Sequence, residues 1–85
     1  MTARRYQTFG TWLKAQQGRP DPIGDLADDF LSDCRRRRVT PRVIRLPRDL
    51  DAWMWGACSE ATAALWEAAK EYSRHRRQTS RGRQP

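Results

Sequence analysis

The segment between Asp21 and Arg38 constrains this chain most. Ile23, Leu26, Ala27, Phe30, Leu31 and Cys34 recur at intervals of three or four residues or as adjacent pairs. That rhythm places all six side chains on one face of an α-helix. Asp21 before Pro22 supplies an N-cap, followed by a residue whose missing N–H costs nothing at the first helical position. Asp25, Asp28, Asp29 and Asp33 occupy the other face, and Arg35 to Arg38 close the segment. Acids near the start and bases near the end match the helix dipole. The pattern predicts a helix from Pro22 to about Arg36, with an apolar side that other elements must cover.

Three further helices are predicted to cover it. Phe9, Trp12, Leu13 and Gln16 share one face of a helix from about Thr8 to Gln17, capped by Thr8 and ended by Gly18. Pro47 opens a helix over about Arg48 to Ala57, with Leu50, Trp53, Met54 and Ala57 inward. Gly56 to Ser59 marks a break. Ala61, Ala64, Leu65, Ala68 and Tyr72 then form one face of a helix from Glu60 to about Arg76, flanked by Trp66 and Ala69. Residues 37 to 48 hold five arginines, no acid and two prolines. They read as an ordered connection, with a helical turn after Thr40-Pro41 and with Val39, Val43, Ile44 and Leu46 pinning it to the core.

The expected fold class is therefore all-α, a compact bundle of four to five short helices. Its core is expected to contain Phe9, Trp12, Leu13, Ile23, Leu26, Phe30, Leu31, Trp53, Leu65 and Tyr72. With 85 residues, one domain is expected over residues 8–76, between a flexible basic lead-in (1–7) and a disordered Arg-rich tail (77–85). No apolar run approaches the roughly 20 residues of a membrane span, and no secretory leader is evident. Cys34 and Cys58 are too few for a disulfide framework. Both fall on apolar stripes, and a buried small hydrophobe is favoured over a redox role for each. The cytoplasm is the expected compartment.

Phe9, Trp12-Leu13, Gln16 and Arg19, then Asp21-Pro22-Ile23-Gly24-Asp25-Leu26-Ala27 with Asp29 and Asp33, resemble the N-terminal signature of the YozE SAM-like family of small bacterial proteins. A fainter echo runs through Gly56-Ala57-Cys58 and from Ala64-Leu65-Trp66-Glu67 to Tyr72. The resemblance spans residues 8 to about 73. It implies a fold similar to sterile alpha motif domains and implies no enzyme activity or cofactor. The segment from Arg35 to Arg48 departs from the family pattern, so nothing about it is inherited.

No catalytic constellation stands out. A Ser-His-Asp set and a Gly-rich phosphate loop are missing, and His75 is the single histidine. The Asp25, Asp28, Asp29 and Asp33 face offers neither ligands from several elements nor an apolar pocket for one acid. It reads as a solvated face or as a docking face for a basic partner. Arg19, Asp21 and Asp25 at one helix start read as a cap with a local ion pair, ahead of a recognition patch. No cofactor or metal is implied.

Charge carries the functional signal. Lys and Arg total 17 against 10 acids, for a formal +7. Arg35, Arg36, Arg37 and Arg38 are followed by Arg42, Arg45 and Arg48, and Arg74, Arg76 and Arg77 extend from the end of the last helix into the tail. Converging, they would bind nucleic-acid phosphates with weak sequence preference. Codon usage in a GC-rich genome produces a similar arginine excess with no partner. The rival expectation is a protein-interaction module, including self-association, in which Asp25, Asp28 and Asp29 meet a basic face. Trp55 is the aromatic least needed by the core, placed to stack on a base, to anchor a protein contact or to cap the core edge.

Overall fold

The computed structural model describes residues 7–54, 56 and 58–82, with the side chains of 79–82 left aside. It is all-α, with no strand among the described residues. Helix α1 spans Phe9–Lys14, α2 Pro22–Arg37, α3 Pro47–Trp53 and α4 Ser59–Gly82, with a 3-10 turn at Pro41–Val43. Helix α1 is shorter than expected, because residues 15 to 18 continue as turn to Gly18 at φ +86. Helix α4 is longer. No Gly or Pro interrupts it before Gly82, so helical backbone runs past Arg76 into the expected tail. Of the basic lead-in expected at the N-terminus, all but Gln7 lies outside the described residues, as do residues 83–85.

The predicted stripes form the core. Phe9, Trp12, Leu13, Ile23, Leu26, Phe30, Leu31, Leu65 and Tyr72 are buried, joined by Ala27, Cys34, Ile44, Leu50, Ala64 and Ala68. Phe9, Trp12 and Tyr72 pack as an aromatic triad, with ring centroids 5.2 to 5.8 Å apart. Trp53 is only half-buried, on the core edge against Phe30. Val43 points outward at 48% exposure, while its neighbour Ile44 is buried and Val39 packs on the core.

The basic connection is tied down by backbone. The first N–H groups of a helix have no partner within it. In α1, Phe9 donates to the Arg45 carbonyl at 3.0 Å and Gly10 to the Ile44 carbonyl at 2.8 Å. Thr8 Oγ1 accepts from Thr11 N–H, and the Thr8 carbonyl accepts from Trp12 N–H. The segment thus caps α1 from outside. Such close approach requires glycine: a Cβ on Gly10 would lie 1.8 Å from the Pro41 carbonyl oxygen. Gly24 plays the same part for the Arg19 carbonyl, which a Cβ would meet at 2.0 Å. Asp49 Oδ2 accepts from the Arg45 and Leu46 N–H groups and so starts α3.

Helix α2 ends in a Schellman arrangement. Arg38 adopts the left-handed conformation (φ 57), its N–H donates to the Arg35 carbonyl, and Val39 N–H donates to the Cys34 carbonyl. Glycine is the usual residue there, since a side chain in this conformation costs about 1 kcal/mol or more.

Gly10→Ala and Gly24→Ala should each lower unfolding free energy by about 2 kcal/mol or more in urea titrations, since backbone must move. Gly18→Ala, with open space around its Cβ, should cost about 1 kcal/mol through its positive φ alone. Arg38→Gly should raise stability by roughly 0.5–1 kcal/mol.

Candidate functional site

Helices α2 and α4 run antiparallel. Arg19, just ahead of α2, reaches Glu71 in the second half of α4, while Asp29 shares a groove with Cys58, Glu60 and Ala61 at its start. The Arg19 guanidinium forms the bridge. It donates to both carboxylate oxygens of Glu71 at 3.0 and 3.2 Å, and to Asp21 Oδ2 through Nε and Nη2 at 3.1 and 2.7 Å. Asp21 Oδ1 meanwhile caps α2 through the Gly24 N–H at 2.9 Å. The Gly24 N–H, then Arg19, hold the Asp21 carboxyl below its ordinary range. Arg19 likewise lowers Glu71, and its own pKa is raised by Glu71 first and Asp21 second. This cluster acts as structure, with Asp25 outside its hydrogen bonds.

Antiparallel packing decides where the arginines go. About 21 Å of helix separates Asp21 from Arg35 at 1.5 Å per residue. Arg35 to Arg38 therefore lie at one end of the α2–α4 pair, and Arg74, Arg76 and Arg77 lie beyond Glu71 at the other. Screening at physiological salt acts over about 8 Å, so the two groups do not form one field. Arg42, Arg45 and Arg48 follow on the connection after Arg38 and are exposed beside the start of α1. The two arginine clusters expected from the sequence to converge are thus held at opposite ends of the α2–α4 pair.

The first group is also partly committed. Asp33 accepts from Trp53 Nε1 at 2.7 Å, pairs with Arg36, and stands 3.6 Å from Arg37. The Arg37 guanidinium lies 4.1 Å from the centre of the Trp53 ring. Arg35 donates to Ser32. Arg76 lies against the Tyr72 ring at 5.8 Å, and Tyr72 donates to the Gln7 carbonyl. Arg38, Arg42, Arg45, Arg48 and Arg77 have no carboxylate within ion-pair distance among the described residues.

The acids do converge. Asp25, Asp28 and Asp29 of α2 face Glu60 and Glu67 of α4 across an open groove of about 810 Å³. Leu26, Ala61 and Ala64 supply apolar floor, and no Lys or Arg lines it. Sequence periodicity displayed the acids of α2 but not their partners, because Glu60 and Glu67 join them only through tertiary packing. Among the described residues no three His, Cys, Asp or Glu side chains converge as a metal cluster would.

Cys34 is buried, and burial pushes its thiol up. Cys58 is exposed at the groove end, one residue before α4, so its expected place on a buried stripe is corrected. Trp55 lies outside the described residues. Trp66, read from sequence as flanking the core, is instead 55% exposed. Its signal was its register: it follows Leu65 by 100° and leaves the Ala61, Leu65, Ala68, Tyr72 face.

No helix of the described residues is long and apolar enough to cross a membrane. No protein-family model matches the chain, and no curated protein or solved structure matches it significantly.

The depressed Asp21 and Glu71 carboxyls stabilise the fold fully above their unfolded values, and that stabilisation is lost as pH falls through the folded ones. Melting temperature should therefore hold from pH 7 to about 5 and drop below about pH 4.5. Arg19→Met should lower it at neutral pH and flatten the acid decline, as read by thermal melts across this range.

Proposed function

We propose that this chain is a non-catalytic helical interaction domain that receives a basic segment of a protein partner in the acidic α2–α4 groove. The observation that carries this reading is the groove itself. Five carboxylates surround an apolar floor with no cation among the lining residues. Charge of one sign around a concave apolar strip steers a basic partner and rejects an acidic one. A Lys- or Arg-bearing segment would lay its aliphatic stems on Leu26, Ala61 and Ala64 while its charges meet the rim. A second copy of the chain is one source of such a segment, through its own arginines. The resemblance to the YozE SAM-like family agrees with a small interaction module, and the cytoplasm remains the proposed compartment.

Contact with nucleic-acid phosphates is the second reading. It is favoured by the exposed Arg38, Arg42, Arg45 and Arg48, which lack ion pairs among the described residues. Separation of Arg35 to Arg38 from Arg74, Arg76 and Arg77 weakens it in its broad form.

Titration calorimetry with an Arg-rich peptide should give binding that weakens with salt. Asp28→Lys with Asp29→Lys should reduce affinity at least about 10-fold, a loss near 1.4 kcal/mol. Both positions are exposed, so the variant should melt near the parent temperature. Peptide binding that ignores this reversal removes the groove reading. Sedimentation at rising concentration tells whether a second copy serves as partner.

A further inference from the structure

The flank of α4 next to the groove has different chemistry. Trp66, Lys70, Arg74 and Arg77 follow at intervals of four, four and three residues, which makes one stripe along the helix. With Ala69 and Ser73 they line a shallow open depression of about 430 Å³. At 100° per residue the stripe is centred about a fifth of a turn from Glu60, Ala63, Ala64 and Glu67, so the two faces adjoin along Ala63 and Glu67. Trp66 is the most exposed large apolar side chain among the described residues.

The cations of this stripe are little engaged. Glu67, at its edge, pairs with Lys70 at 3.2 Å, but both side chains are more than 60% exposed, and such pairs are weak in water. Glu71, the carboxylate next to Arg74 on the helix, holds Arg19 with both oxygens. Arg77 has no ion pair among the described residues.

We propose that this face binds single-stranded nucleic acid, with Trp66 stacking on a base and Lys70, Arg74 and Arg77 contacting phosphates. An exposed indole in line with three cations is the combination single strands use. Duplex nucleic acid hides the faces of its bases, so it would leave Trp66 idle. An acidic peptide would engage the cations without needing the indole. A bilayer surface would need a continuous apolar face, and this stripe offers one large apolar residue. Recognition by stacking and phosphate contact carries little sequence preference. The site shares the interaction-domain reading above and adjoins the acidic groove along Glu67, while its own contacts run through Trp66, Arg74 and Arg77.

The test is fluorescence anisotropy with a labelled short oligothymidylate, against a duplex of equal length, between about 50 and 200 mM salt. The single strand should bind more tightly than the duplex. Its log affinity should fall against log salt with a slope of about −2, as three phosphate contacts to a single strand require. Trp66→Ala should weaken binding roughly 10-fold with an unchanged melting temperature, and Trp66→Phe should retain most of it. Arg74→Glu with Arg77→Glu should abolish it at the higher salt. Equal affinity in Trp66→Ala, a duplex bound as well as the single strand, or no binding at low salt would overturn the proposal. Displacement of the oligonucleotide by polyglutamate or by phosphatidylglycerol vesicles at equal charge would overturn it as well. The Arg-rich peptide reads the groove alone, so failure of one surface is distinguishable from failure of the other.

Discussion

The fork of Arg19 onto Glu71 and Asp21 sets the register of α2 along α4, and the charge map follows from that register. Arg19 is half-buried between two carboxylates on different elements, one of which also caps α2. Two charge-assisted contacts sharing one guanidinium are stronger and more directional than isolated surface pairs. With Asp21 anchored beside Glu71, the acids of α2 fall opposite Glu60 and Glu67. The arginines at the end of α2 are carried to the far side of the bundle. One bridge between residues 52 apart in sequence thus aligns the acidic groove and separates the two arginine clusters.

A second constraint is backbone saturation. The connection between α2 and α3 is rich in arginine, yet its structural work is done by carbonyls. Ile44 and Arg45 accept the N–H groups that α1 cannot satisfy by itself, and Gly10 leaves room for Pro41. Buried or half-buried amides need partners, so this segment is held firmly while its side chains remain in water. Arg42, Arg45 and Arg48 are therefore displayed on a fixed scaffold. Arg36 and Arg37 differ, being folded back onto Asp33 and Trp53.

The helices were legible because their apolar residues keep a strict 3.6-residue rhythm. The apolar residues from Ile23 to Cys34 and from Ala64 to Tyr72 are buried as that rhythm requires, while Ala61 stays half-buried at the groove. Boundaries were less legible where no Gly or Pro intervenes, as beyond Arg76. The candidate surfaces were half legible. Asp25, Asp28 and Asp29 stood out as one acidic face, but Glu60 and Glu67 are more than thirty residues away in sequence. Trp55, the spare aromatic of the sequence, lies outside the described residues, and among those described the most exposed indole is Trp66, which sits one residue off the buried stripe.

The sequence by itself determined the helical class, the face each helix buries, the caps at Thr8 and Asp21, and the excess of positive charge. These depend on spacing and residue type within a few turns, where interactions are local. Only the tertiary structure decided which charges become neighbours. Helix direction and register are set by long-range contacts such as Arg19 to Glu71, and two charges share a field only when packing brings them within a screening length. That is why the acids of α2 and α4 line one groove, while the arginines at the end of α2 and those on α4 stay apart.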